Sequence, residues 1–200
     1  MIETKLMTPL TNSDYKNYFK NGVSYEGYKT NLSVDLATNT DEEKVGFISL
    51  NQSRMKRVDK TFQITEELAR LLQNIKDKVY WLMISEHWCG DASQNIPSFN
   101  KIAELSAGKI ELRIVYRDEN TELMDQHLTN STRSIPKLIQ LDEAYNVTGI
   151  WGSRPVEAQE LIIKLKSNPL TADTYVNELH LWYARNKQIA LQGEIVNLLK

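Results

Sequence analysis

One cysteine occurs in the 200 residues, Cys89, within "SEHWCGDASQNIP" (85–97). It follows a nearly continuous apolar run, "VYWLMIS" (79–85), and precedes a segment with Ile96, Phe99, Ile102 and Ala103 on one helical stripe. That order predicts a thiol at the first turn of a helix leaving a buried strand. Unpaired backbone N–H groups and the positive end of the macrodipole converge there. Both favour thiolate over thiol, and such placements lower a cysteine pKa from roughly 8.5 toward 3.5–7.5. The thiolate is the nucleophile, so the spacing predicts a reactive Cys89 in an exposed loop. Gly90 has no Cβ and would let another chain approach the sulfur closely. Asp91 is a candidate helix cap, with a charge that opposes the thiolate slightly. His87 is a candidate helper of the thiolate, set against the plainer reading of an exposed loop histidine. Three positions past Cys89, where a dithiol site would need its second sulfur, stands Ala92.

The surrounding pattern says what holds this stretch. "ITEELARLLQNIKDK" has Thr65 as a cap, two glutamates in its first turn and Leu68, Leu71, Leu72 and Ile75 at helical spacing. "IELRIVYR" (110–117) alternates, with Ile110, Leu112, Ile114 and Tyr116 facing inward as a strand. "TELMDQHL" (121–128) is a short helix, and "PKLIQLD" and "YNVTGIWG" form a hairpin turning around Glu143 and Ala144. "PVEAQELIIKLKS" (155–167) opens with proline at a permitted helix start. The order is helix, strand, helix, strand, helix, hairpin, helix. It implies a parallel strand pair joined by a right-handed crossover, with antiparallel strands added and helices on both faces.

Ahead of this region, "TNSDYKNYFKNG" reads as a capped short helix. "DEEKVGFISLNQSRMKRV" (41–58) reads as a second, with Val45, Ile48, Met55 and Val58 on one side. Neither carries a chemical motif. After residue 171, Tyr175, Leu179, Trp182, Ile189, Val196 and Leu199 recur near heptad spacing, a stripe suited to packing on the core.

Composition narrows the partners. Hydrophobic residues make up 41% and charged ones 25%, and 24 basic against 26 acidic side chains leave a formal net charge of −2. That balance gives no bulk reason to bind nucleic acid or an anionic membrane. The basic stretch "RMKRVDK" (54–60) is expected to be a solvated helix face. The longest apolar run, "VYWLMI", is too short to span a bilayer. The polar start, "MIETKLMTPLTNSDYKN", lacks the apolar centre of a signal peptide, so the expected compartment is cytoplasmic. A single cysteine excludes an internal disulfide scaffold, and the histidines at 87, 127 and 180 lack zinc-site spacing. No metal and no cofactor is expected.

The sequence resembles the thioredoxin superfamily. "WCGDA" is similar to that family's Trp-Cys-Gly-x-Cys segment, with the last cysteine replaced. Pro97, eight residues past Cys89, matches the proline that kinks the family's active-site helix. "SIP" (134–136) is similar to its cis-proline loop beside the reactive sulfur, and "GIWGSRPVEAQEL" to its last strand and closing helix. The resemblance implies an α/β thioredoxin-like fold over 63–167, a central mixed sheet with helices on both faces. A helical amino-terminal extension (1–62) and a carboxy-terminal helix packed on the core (168–200) would complete it. It further implies Cys89 as the catalytic thiol, with Trp88, Gly90, Asp91, Ile135 and Pro136 as substrate contacts. The family's buried acid six residues before the first cysteine is Met83 here, which fits the loss of the resolving thiol that the acid would serve. The Pro-x-x-x-Thr-x-x-Cys segment of peroxiredoxins is absent, since Leu82 and Glu86 stand at its proline and threonine positions.

Two functions follow. One is monothiol exchange: Cys89 forms a mixed disulfide with a protein or a low-molecular-weight thiol or disulfide, and an external thiol releases it. The other is a catalytically inactive binding module that uses the same groove. An acidic, fast-reacting Cys89 would mark the first; the second needs neither property. Substrate, reductant and oligomeric state are not encoded in any motif of the chain.

Overall fold

The computed structural model describes residues 8–200; residues 1–7 of the expected amino-terminal extension lie outside the described residues. Strand β1 (Val79–Ser85) is the inner strand that carries the site. Its neighbours are β2 (Ile110–Tyr116), parallel to it, and β3 (Lys137–Leu141), antiparallel. Strand β4 (Val147–Gly152) pairs with β3, giving the order β2-β1-β3-β4. Trp81, Leu82, Met83 and Ile84 are all fully buried. Covered on both faces, β1 loses the alternation of a one-sided strand, as its apolar run requires. Met83 lies in register between Ile114 and Leu138.

Helix α5 (Gly90–Leu105) runs from β1 toward β2 and turns Ile96, Phe99 and Ile102 into the core, with Pro97 inside it. Its opposite side is also covered, and Ser93, Gln94, Asn95 and Ser98 are buried. Helix α3 (Glu42–Thr61) lies along it. Ahead of α3 come α1 (Asn12–Asn21), closed by a Thr11–Asp14 capping box, and α2 (Tyr25–Thr38). The periodicity reading passed over α2, whose apolar residues do not form a clean stripe. Between these helices Val23 exchanges two backbone hydrogen bonds of 2.8 Å with Ile114, which shields the open edge of β2. Tyr15, Phe19, Tyr28, Leu32, Ile48 and Met55 belong to the same buried cluster as Trp81 and Phe99.

Helix α4 (Glu66–Asn74) starts at Thr65, whose hydroxyl accepts the Leu68 N–H. Helix α6 (Thr121–Asp125) follows β2, and α7 (Val156–Lys166) follows β4. The segment from 171 onward corrects the single carboxy-terminal helix implied by its stripe. The chain forms two helices, α8 (Tyr175–Asn186) and α9 (Ile189–Leu198), broken where Lys187 (φ 50°) and Gln188 (φ 63°) turn left-handed. Each half has its own surface to cover. Leu179 and Tyr183 of α8 pack with Ala158 and Ile162 of α7, while α9 packs against α4 and β4. The architecture is an α/β fold of the thioredoxin-like class, a mixed sheet flanked by helices, with helical extensions. No described helix is long and apolar enough to cross a membrane.

Candidate active site

Cys89 is the N-cap of α5, with extended backbone (φ −75°, ψ 115°). The backbone N–H groups of Asp91 and Ala92 turn toward its sulfur. Its thiol donates to the Ile135 carbonyl at 3.4 Å. The Ile135–Pro136 peptide bond is cis. Trp88, Cys89, Gly90, Asp91 and Ile135 line one groove of about 310 Å³, together with Arg117, Arg133, Ser134, Ser153 and Arg154. Five of the six residues singled out in the sequence therefore meet at one place. Pro136 is buried and stands behind Ile135 instead of lining the groove.

The expected open, acidic thiol is corrected. Cys89 is buried, and its pKa is pushed up to about 12. Burial is the largest cause, and the Asp91 charge adds to it. The two N–H groups and the Arg154 charge pull the other way and do not win. Helix-start placement lowers a thiol pKa only while water or cations remain close enough to support the charge. Here the loop folds inward.

Three neighbours of the thiol also depart from expectation. A Cβ on Gly90 would lie 3.1 Å from His180 Cε1, so α8 of the same chain fills the space that a partner was expected to use. Asp91 makes no side-chain cap. Its Oδ2 accepts from Arg154 Nη2 at 2.5 Å and Nε at 3.1 Å, and its Oδ1 from the Tyr183 hydroxyl at 2.7 Å. His87 is buried, not exposed. Its Nδ1 lies 3.0 Å from Asp35 Oδ2 of α2 and its Nε2 3.2 Å from the Tyr116 hydroxyl at the end of β2, which turns both ring nitrogens away from the thiol's chemistry. Trp88 is half-buried beneath Arg117, whose guanidinium carbon lies 4.8 Å from the ring centre. Among the described residues no three His, Cys, Asp or Glu side chains converge as metal ligands.

Sequence reasoning missed Arg154, Tyr183 and Asn95, which surround Asp91. Asn95 Nδ2 donates to the Asp91 carbonyl at 2.8 Å and to the Tyr183 hydroxyl at 3.1 Å. Arg154 and Tyr183 lie 63 and 92 positions from Asp91. Only the presence of Arg154 beside the start of α7 could have drawn notice.

Strand β1 thus ends in a thiol N-cap that faces a cis-proline loop, on a mixed sheet flanked by helices. The sequence model of the thioredoxin family matches residues 38–166, and the chain belongs to that family. A search of curated proteins returns no match. Among solved structures, the chain is similar to a protein of unknown function from Pseudomonas aeruginosa, at 19% identity and a TM-score of 0.62. That likeness covers 92% of this chain and 96% of the other. An HIV epitope-scaffold is similar at 19% identity and a TM-score of 0.61, over 92% and 96% of the two chains. At such identity these likenesses speak for the fold.

Proposed function

We propose that this protein acts in slow monothiol exchange through Cys89, forming long-lived mixed disulfides with a disulfide-bearing protein or small molecule. The observation that carries the reading is the Cys89 sulfur, held at the N-cap of α5 against the Ile135 carbonyl within a groove. In the forward step the Cys89 thiolate attacks one sulfur of a disulfide and expels the other as a thiolate, which takes up a proton. Ala92 offers no second attack, so release falls to an external thiol. A thiol pKa near 12 slows attack, and it also makes Cys89 a poor leaving group. The first effect slows capture, and the second lengthens the life of the adduct once formed. Trp88, Asp91 and Ile135, which line the groove, are the proposed partner-contacting residues, and a reducing cytoplasm is the setting in which a lone thiol stays available.

Glutathione disulfide is a direct probe. Reduced protein should gain one glutathione on Cys89, faster as pH rises, and lose it to excess dithiothreitol. Absence of any adduct at pH 9 in folded protein would sink the exchange reading. The second reading, a binding module with no covalent step, is favoured by the burial of the thiol. It predicts that a Cys89→Ser variant retains whatever partner the native chain captures.

A further inference from the structure

The basic stretch Arg54–Lys60 is not simply a solvated face. Arg54 and Arg57 are half-buried, and Arg57 Nη2 donates to Gln94 Oε1 of α5 at 2.6 Å. Beside that contact lies a groove of about 480 Å³, distinct from the Cys89 groove. It is lined by Arg57, Lys60, Gln63, Tyr183, Lys187 and Gln188 among others, and by no aspartate or glutamate. None of its three cations forms an ion pair among the described residues. A local charge of +3 is thus gathered on a chain whose net charge is −2.

Gln188 adds a polar group to the same groove. The residue is 5% exposed, and its amide keeps contact with solvent there. Gln188 lines the groove and is itself held in a left-handed conformation next to left-handed Lys187. Arg57, steadied by Gln94, keeps further guanidinium N–H groups available for an oxyanion. Phe62 and Tyr183 add aromatic wall, and the volume falls in the small-molecule range.

We propose that this groove binds a phosphate group carried on a small molecule, with Arg57, Lys60, Lys187 and Gln188 as its contacts. A phosphate presents several acceptor oxygens to three cations and to the amide donor of Gln188, whereas the groove offers no acceptor carboxylate to a cation. The site is independent of the Cys89 chemistry, so Cys89→Ser should bind the same ligands.

The test is calorimetric titration of the full chain with inorganic phosphate, inorganic pyrophosphate and ribose 5-phosphate, against sodium chloride at matched ionic strength. Saturable binding of ribose 5-phosphate is expected, weakened about tenfold in Lys60→Ala and in Lys187→Ala. A charge-preserving Lys187→Arg should restore most of it. Inorganic phosphate or pyrophosphate binding as tightly as the sugar phosphate would overturn the assignment to a carried group. Heat indistinguishable from the chloride control with all three probes would overturn the site. Binding that survives in folded Lys60→Ala and Lys187→Ala alike would place the ligand elsewhere and overturn it too.

Discussion

Asp91 and Arg154 form a two-bond ion pair, with Arg154 Nη2 2.5 Å and Nε 3.1 Å from Asp91 Oδ2, beside the one thiol of the chain. The pair ties the first turn of α5 to the connection between β4 and α7. The two members act on Cys89 with opposite sign: Asp91 raises its pKa and Arg154 lowers it. Tyr183 of α8 donates to the other carboxylate oxygen, so the carboxy-terminal region helps to hold a charge that adds to burial in raising the Cys89 pKa.

Replacing Asp91 by Asn should therefore lower the Cys89 pKa and speed its alkylation at pH 8. The variant removes the second-largest raising cause and leaves the two backbone N–H groups and Arg154 pulling the pKa down. It should also cost about 3 kcal/mol of stability, the lower end for breaking a buried pair because Arg154 keeps partial access to water. Tyr183→Phe is the control. It takes one hydrogen bond from Asp91 but leaves its charge, so the thiol titration should hardly move. Iodoacetamide rates across pH decide the matter, and an unchanged profile in Asp91→Asn would remove Asp91 from the account.

The raised thiol pKa has a consequence for stability with a definite sign. Above the ordinary thiol pKa of about 8.5 the unfolded chain loses the Cys89 proton while the folded chain keeps it. The unfolded state then binds fewer protons, so the contribution of Cys89 is complete below about pH 8.5 and declines as pH rises toward 12. Urea midpoints of the native chain should fall more steeply over this alkaline range than those of Cys89→Ala. Parallel curves would mean that the thiol ionises in the fold as it does in the unfolded chain.

His127 and His180 predict the opposite slope at acid pH. Burial pushes each down to about 4, helped by Lys137 for His127 and by Arg54 for His180. His127 Nε2 meets the Tyr15 hydroxyl at 2.9 Å, and His180 Nδ1 meets Gln94 Nε2 at 3.1 Å. The unfolded chain binds more protons between pH 6.5 and 4, so this contribution is present above about 6.5 and is lost as pH falls through 4. Imidazole NMR titrations should show both rings neutral at pH 6. A midpoint near 6.5 for either ring in folded protein would contradict its burial.

Much of the fold is legible because its signals are local. The continuous apolar run of β1, the alternation of β2, the Thr65 cap and Pro155 ahead of α7 each act within a few residues. The site is legible in part, since "WCGDA" and "SIP" are contiguous segments that the sheet brings together. What escaped depends on distant pairings. The Cys89 pKa is set by how deeply the loop folds inward, and Asp91 is claimed by Arg154 and Tyr183 before it can cap its own helix. His87 looked exposed because nothing near it in sequence announces Asp35 or Tyr116. The break at Lys187 and Gln188 lies within an unbroken apolar stripe and is imposed by two separate packing surfaces.

The last prediction asks whether the site could still support dithiol chemistry. Ala92 is 1% exposed and begins three residues past Cys89 on the first turn of α5. Residues so spaced face the same side of a helix, within the Cα separation of about 4.4–6.8 Å that a disulfide spans. Ala92→Cys should thus close a disulfide with Cys89 under mild oxidation, seen as the loss of two hydrogens by intact mass. The new thiol should also shorten the life of the glutathione adduct, since it can expel glutathione from Cys89 without an external reductant. Recovery should remain incomplete because Met83, fully buried, leaves no acid to deprotonate the resolving thiol. Adding Met83→Asp should hasten resolution and lower the melting temperature, since a carboxylate placed in the apolar core is costly unless neutral. A folded, oxidised Ala92→Cys variant with two free thiols would show that the first turn of α5 no longer holds dithiol geometry.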